Sequence, residues 1–554
     1  MNKYIGLSLL ALSMGLASCN DFLDKLPDNR TEANTEEKIQ KLLVAAYPTH
    51  DHMAFTEYGS DNVDDMGEKN PYTDRFIDQL YSWTDVTETD NQDPESYWMD
   101  LYQCIETANM ALEGIESMGG ATTPTLKEAK AEALLCRAYA HFMLVNVFAM
   151  HYDANNPNAI GVSYVTETEK ELNPQYQRET VHENYAHIAA DLEAALPDVG
   201  ESYYTVPKYH FNKNAAYAFA SRFYLYYEKY DKCIEYSTKL LGTNPKTMLR
   251  NNQNIASLPR EWPNDAPAPI ALYYVDANRT HTTLLLTSYS SQWVNFGPYY
   301  TGKRYSHNAY IGTNETINAL AAFWGGDYTS YKAQVFRYSG TNLDAWLNWH
   351  TPRLFEYTDP VAGIGYRHTV YNAFTTDEVI LNRAEAYTMQ KDYNKACEDM
   401  TTWIRNTVVA ARQNFIVTTD TVTNFMKSID YAYDDEDHME SSLKKHLNPK
   451  FEIDAEGSTQ ESMIQLILAA RRYETLTEGK RWFDIKRWGI EIPRRTMTSG
   501  GAPASVTDWL KVDDPRRAIQ IPQKVREAGY QPNPRPQKDD TNGALIPNSN
   551  LLKD

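Results

Sequence analysis

Apolar positions in this chain change rhythm several times, and the rhythm assigns most of its elements. After Glu36 they recur every three to four residues as far as Tyr47, where Pro48 ends the run, which predicts a helix over 36–47. Residues 51–95 lose that period. They are acidic and carry Gly59, Gly67, Pro71 and Pro94, so they read as loops. Two long helical periods follow, from about Tyr97 to Met118, closed by Gly119-Gly120, and from just after Pro124 to about Met150. A shorter helix is expected over 183–196, before Pro197.

The next two periods form a pair, Asn214 to Lys229 and Asp231 to Leu241. Tyr217, Ala220, Ser221 and Tyr224 share one face, and Cys233, Ile234, Ser237, Leu240 and Leu241 form the facing stripe. With Tyr230 at the turn and Pro245 after the end, these offsets follow the tetratricopeptide pattern. Small residues at the crossing let two helices approach, and an aromatic fills the groove beside them. Ile380, Ala384, Tyr387, Tyr393, Ala396 and Trp403 repeat the frame further on, and Arg137-Ala138-Tyr139 with Phe142 marks a more divergent member. Stacked helix hairpins of this kind predict a mainly α scaffold.

Between the clear repeats the texture is different. Residues 246–375 are rich in Gly, Pro, Asn, Thr and aromatics. Short strands are expected at Ile270–Val275 and Thr282–Tyr289, and the rest reads as long loops, where function concentrates. A second irregular region covers 412–460. A helix is then expected over about Gln460–Thr477, followed by a charged and aromatic run to Gly489 and a Pro- and Asn-rich tail from Asp513.

The first residues are of another kind. Lys3 precedes an apolar stretch from Ile5 to Ala17, too short to span a bilayer, which needs about 20 residues. It ends in Leu16-Ala17-Ser18-Cys19, which resembles a lipobox. Residues 1–18 are therefore expected to be a lipoprotein signal peptide, Cys19 the lipid anchor, and 19–37 a polar tether. No later segment is long and apolar enough to cross a membrane, so the mature protein is expected to be soluble apart from its anchor.

Composition then narrows the partners. The formal charge of −21 and pI near 5.1 disfavour nucleic acid. Cys104, Cys136, Cys233 and Cys397 are far apart with no CxxC spacing, which argues against a zinc ribbon or redox pair and for buried free thiols. Tyrosine is abundant, 40 residues against 17 Phe, with 11 Trp besides. An apolar ring with a polar edge suits surfaces that hold polar ligands.

Several motifs together carry a family resemblance. They are the mature start Cys19-Asn20-Asp21-Phe22-Leu23-Asp24, then Ser60-Asp61-Asn62, the segment Glu132 to Phe148, Glu378 to Tyr387, and Arg471-Arg472-Tyr473-Glu474 with Glu478-Gly479-Lys480-Arg481-Trp482-Phe483-Asp484-Ile485-Lys486-Arg487-Trp488-Gly489. In this order they resemble the SusD/RagB outer-membrane nutrient-binding lipoproteins of Bacteroidota. Ile519-Gln520-Ile521-Pro522 and Pro532-Asn533-Pro534 only loosely echo the family's C-terminal segments. The resemblance implies four helix-hairpin repeats against an irregular domain, anchored at the outer membrane and facing outside. It also implies a lid role over a SusC-like TonB-dependent β-barrel transporter, capture of an oligosaccharide or polysaccharide, and no catalysis. Peptide uptake is the alternative cargo, and a non-binding lid or a hydrolase are the other classes.

The expected organisation is thus a helical repeat region over 38–245, an aromatic ligand-binding region over 246–375, a further repeat over 376–411, and an irregular C-terminal region over 412–554 with the signature at 471–489. Sugar rings present C–H faces to flat aromatics and hydroxyls to polar rims, so loop aromatics are the candidates. Trp83, Trp293, Tyr299, Tyr300 and Trp324 are singled out. The run Trp293 to Tyr300 is the densest, and Gly325-Gly326 after Trp324 points to a turn. Trp346 and Trp349 are set aside because a short helix would also place them. The basic residues of 471–489 are expected to pair with acids across the domain contact. No cofactor is expected. The Asp434-Asp435-Glu436-Asp437 run offers oxygen ligands for calcium but lacks EF-hand spacing, so it reads as a solvated loop. HExxH, GxSxG and P-loop motifs are absent from the sequence.

Overall fold

In a computed structural model of the chain, the described residues are 33–67, 70, 72–171, 174–259, 267–289, 303–324, 335–338, 345–348, 350–408, 414–433, 439–538 and 545–546. The signal segment, Cys19, Trp293, Tyr299, Tyr300, Trp349 and the Asp434–Asp437 run lie outside them.

The first hairpin pairs α1 (Pro94–Ser117) with α2 (Pro124–Phe148). Both helices start in the same way. A side-chain oxygen, from Asp93 or Thr123, accepts a backbone N–H of the first turn, and proline at the first helical position supplies a preset φ where no N–H is needed. α3 (Val181–Ala195) begins with a capping box between Thr180 and Glu183 and packs on α2. α4 (Lys213–Tyr226) and α5 (Tyr230–Leu241) make the next hairpin, which touches at small polar residues: Ser221 Oγ lies 2.8 Å from Ser237 Oγ.

In the later part of the chain, α6 (Thr376–Met389) and α7 (Tyr393–Thr407) repeat that hairpin, and α6 packs between α5 and α8 (Thr459–Glu474). The repeat is visible in the backbone itself. Glu228 and Lys391, each four residues after the tyrosine of its frame, both turn through positive φ, 60° and 62°. Forked ion pairs tie neighbouring helices: Arg137 to Asp191 at 2.7 Å on both nitrogens, and Arg383 to Asp399 at 2.7 and 2.9 Å.

A three-stranded antiparallel sheet leads into the second half. β1 (Thr282–Tyr289) and β2 (Leu354–Asp359) flank the central β3 (Ile364–Thr375), which runs directly into α6, capped by the Thr375 hydroxyl. β1 falls where the sequence put a strand. Ile270–Val275 does not, because a helix covers Pro269–Tyr274, again with proline in its first turn. The β2–β3 hairpin was not anticipated. Residues 51–95 are less loop-like than expected, for they contain the helices Met53–Gly59 and Arg75–Tyr81 and are largely buried. Trp346 belongs to a short strand, Ala345–Asn348, and is buried.

The Glu478–Gly489 signature is buried almost throughout, with a helix over Arg481–Arg487. Its two glycines have a steric reason. Gly479 (φ 67°) would bring a Cβ to 2.1 Å from Thr56 Oγ1, and Gly489 (φ 58°) to 2.0 Å from the Asn448 carbonyl. Its cations pair with acids from other segments, as expected. Arg471 and Arg487 share Glu385 at 2.5 Å each, Arg481 forks Asp61 at 2.9 Å, and Lys480 reaches Glu378 at 3.1 Å. Next to them, Glu315 accepts from Lys445 at 2.7 Å, Arg472 at 2.9 Å and Arg495 at 3.1 Å, and from the Tyr433 hydroxyl at 2.8 Å. The four cysteines after Cys19 are buried and unpaired. Among the described residues no helix is long and apolar enough to cross a membrane.

Candidate functional site

The described chain stops at Tyr289 and resumes at Lys303, and the densest aromatic run of the sequence lies between. One strip, Thr49 to Met66, holds both margins. At the first, the Tyr289 N–H donates to the Thr49 carbonyl at 2.8 Å, and the Ser288 hydroxyl donates to the Asp51 carboxylate. At the second, Tyr305 pairs with Asp65 in an antiparallel ladder, the Met66 N–H donates to the Arg304 carbonyl at 2.7 Å, and the Arg304 guanidinium forks the Asp65 carboxylate at 3.0 Å. The helix Met53–Gly59 separates the two anchor points, and at 1.5 Å per residue it is only about 10 Å long.

The strip is itself fixed from below. Asp61 meets Arg472 and Arg481, and Asp64 receives a fork from Arg495 at 2.9 and 3.0 Å. Burial alone would raise the Asp61 carboxyl, but Arg472 and Arg481 outweigh it and hold it well below the usual carboxylate range. Glu57 receives the backbone N–H of Gly479 at 2.9 Å. The signature's role is thereby defined: it clamps the strip that carries both margins.

Rings and polar groups alternate at each margin. Tyr289 is 39% exposed and lies 5.1 Å from Tyr366 and 5.7 Å from His50, with His368 6.0 Å beyond Tyr366. Burial pushes the His50 imidazolium down, but its contact with Asp100, with Asp51 and Asp93 behind, wins and raises it above the ordinary histidine value. Glu356, bonded to the Tyr366 hydroxyl, raises that phenol to about 12. At the second margin Tyr72 is 63% exposed, with the Lys303 ammonium 4.1 Å from its ring centre, and Tyr305 stacks on Tyr81 at 4.1 Å. Phe355 and Tyr357 stand exposed on the β2 strand, on the face opposite Tyr366. Their alternation with Glu356 was the one signal in the sequence that could have found them.

Two of the singled-out tryptophans are elsewhere than expected. Trp324 is 1% exposed and packs 6.4 Å from Trp403, so its ring is not presented at the surface. Trp83 is 6% exposed: Arg494 covers its ring at 3.9 Å, and its indole N–H donates to the Gly59 carbonyl at 2.8 Å. Its backbone turns through φ 52°, a costly conformation for a bulky residue, which that bond and the stacked guanidinium hold in place. Trp83 therefore forms the floor of a cleft of about 270 Å3, rimmed by Asp85, Glu88, Arg516, Arg526 and Arg535, rather than a free stacking plate. Among the described residues no cluster of His, Cys, Asp or Glu could hold a metal ion.

Stacked helix hairpins with an irregular domain that displays aromatics define the class: a repeat scaffold with a ring-rich, polar-rimmed surface. The sequence matches two family models. One, described as "Starch-binding associating with outer membrane", matches residues 21–225, and the other, "SusD family", matches residues 287–545. Solved structures agree in fold. A SusD superfamily protein from Bacteroides thetaiotaomicron is 19% identical, with 90% of this chain and 100% of that chain covered at a TM-score of 0.54. A protein from Bacteroides vulgatus described as a putative sugar binding protein is 18% identical, with 91% and 99% covered at 0.59. A laminarin binding SusD-like protein is 16% identical, with 90% and 99% covered at 0.53. No curated protein sequence matches significantly. The chain belongs to the SusD/RagB family.

Proposed function

We propose that this protein is a lipid-anchored binding protein on the outer face of the outer membrane. It captures an oligosaccharide at the margins of residues 290–302 and passes it to a SusC-like TonB-dependent β-barrel transporter. The observation that carries the reading is the clamped frame, Tyr289, Tyr366 and His50 at one margin and Tyr72, Lys303 and Tyr305 at the other; in the sequence, Trp293, Tyr299 and Tyr300 fall between Tyr289 and Lys303. Rings for C–H faces stand there with imidazole, carboxylate and ammonium groups for hydroxyls. The laminarin-binding neighbour, which shares the fold, supports a glycan over a peptide. Cys19 is the anchor and 19–37 the tether. The 246–375 region is the ligand-binding part and the helix hairpins are its support. The protein binds and does not cleave.

Calorimetry of the full chain in non-ionic detergent, against laminarin oligosaccharides, other glycans and peptides, tests the cargo. A glycan is expected to bind, and Tyr289→Ala combined with Trp293→Ala to weaken it at least about ten-fold, since each lost stacking pair is worth on the order of 1 kcal/mol. If both substitutions leave a confirmed ligand untouched, the site is wrong. Binding of peptides alone would replace the cargo, and turnover of any ligand would end the non-enzyme reading. Cys19→Ala is expected to move the protein from the membrane fraction to the soluble one.

A further inference from the structure

A second cavity, of about 170 Å3, shares no lining residue with the margins above. It lies between α1, residues 163–169 with Tyr176, and the C-terminal helix Gln523–Glu527, and its walls are the rings of Trp98, Tyr102, Tyr176 and Tyr530. Trp98 stands 5.1 Å from Tyr102 at 49° and 5.5 Å from Tyr530 at 74°, so the rings meet as walls and not as a stack. Ser163 fixes two of them. Its carbonyl accepts from the Tyr102 hydroxyl at 3.1 Å, and its N–H donates to the Tyr530 hydroxyl at 3.0 Å.

Two carboxylates complete the lining. Glu106 sits one turn after Tyr102 on the same stripe of α1, and Glu169 is held beside it by its own N–H, which donates to the Glu106 carboxylate at 3.2 Å. The Glu169 carboxylate bonds the Tyr176 hydroxyl. No basic side chain lines the cavity among the described residues. Arg178 reaches the Tyr530 ring only at 5.9 Å and donates to the carbonyls of Gly161 and Gln531.

Negative ring faces and two carboxylates converging on one space make a potential that favours positive charge. A neutral sugar would find the Tyr102 and Tyr530 hydroxyls already engaged at Ser163. The volume is that of a cavity able to hold benzene, about 150 Å3, which admits a group of six or seven non-hydrogen atoms. We propose that this aromatic, acid-lined cavity binds a compact organic ammonium ion, independently of the glycan surface.

Choline and its uncharged isostere 3,3-dimethylbutan-1-ol, titrated calorimetrically into the full chain in non-ionic detergent, separate charge from shape. Choline is expected to bind at least about ten-fold more tightly than the isostere. Glu106→Gln, which keeps the shape, and Tyr176→Leu, which removes a partly exposed ring, are each expected to weaken choline several-fold. Equal affinity for the two probes, no choline binding, or binding unchanged in both variants would overturn the proposal. The wild-type comparison stands even if a variant fails to fold, and none of these outcomes bears on glycan capture.

Discussion

Replacing Glu315 with glutamine tests whether buried charge holds the frame together. The side chain has no solvent exposure and accepts from Lys445, Arg472, Arg495 and Tyr433. Burial alone would raise its carboxyl, yet the three cations outweigh burial and hold it well below the usual range. Glutamine keeps the shape and removes the charge: Arg472 and Arg495 retain Asp61 and Asp64, while Lys445 loses the carboxylate it contacts away from water. Breaking a buried pair from one side costs about 3–5 kcal/mol. Lys445 is the group that gives way. Burial already brings it down to about 7 against the opposing pull of Glu315, so losing that carboxylate favours the neutral amine. Lys445→Met should therefore recover part of the loss when combined with Glu315→Gln, with a coupling of at least about 1 kcal/mol. Equilibrium urea unfolding of wild type, both single variants and the double variant supplies the numbers. A loss below about 1 kcal/mol for Glu315→Gln, or strict additivity with Lys445→Met, would refute the view that this network is a coupled clamp.

Three other perturbations have defined outcomes. Gly479→Ala is expected to destabilise by about 2–4 kcal/mol in the same assay, because the new methyl meets Thr56 and the Met53 backbone in a left-handed conformation. Acid should unfold the protein through specific carboxylates. Arg222 and Lys480 outweigh burial to hold Glu378 at about 2, and Lys480 and His350 do the same for Glu478. Because both values are depressed on folding, their stabilisation, on the order of 3 kcal/mol each, is complete above the free-glutamate value and drains away as pH falls from about 4.5 to 2. Thermal melts across that interval should show Glu378→Gln flattening the slope. Trp324→Ala should cost about 3–5 kcal/mol of stability while leaving ligand affinity of the folded protein unchanged, which calorimetry can confirm.

The helices were legible because their signals are local. A period of 3.6, a capping side chain and a proline at the first turn act within a few residues, so α1 to α5 and α8 fall within a few positions of their expected bounds, and α6 and α7 lie inside the repeat expected over 376–411. Pro269–Tyr274 was misread because a short apolar run fits a strand as well as a buried helix. The candidate site was legible in part. The sequence marks the aromatic run at 293–300 by density alone, but it could not show that Tyr289, Tyr366 and His50 converge, since they come from three separated segments. Trp83 and Trp324 were misjudged for the same reason: exposure is decided by what packs above a residue, here Arg494 and Trp403. The signature's pairing was foreseen in kind, though not its choice of Asp61, Glu385 and Glu378 as partners.

The shared anchoring of Tyr289 and Tyr305 on one strip has a consequence for chain length. Closing a chain segment between ends that are already held costs little more as it lengthens, about 0.6 kcal/mol per doubling. A change in the number of residues between positions 290 and 302 is thus expected to cost little in closure entropy. The strip is a pair of fixed attachment points, and the charges that hold it, Asp61 and Asp64 with their arginines, belong to other parts of the sequence than the insert.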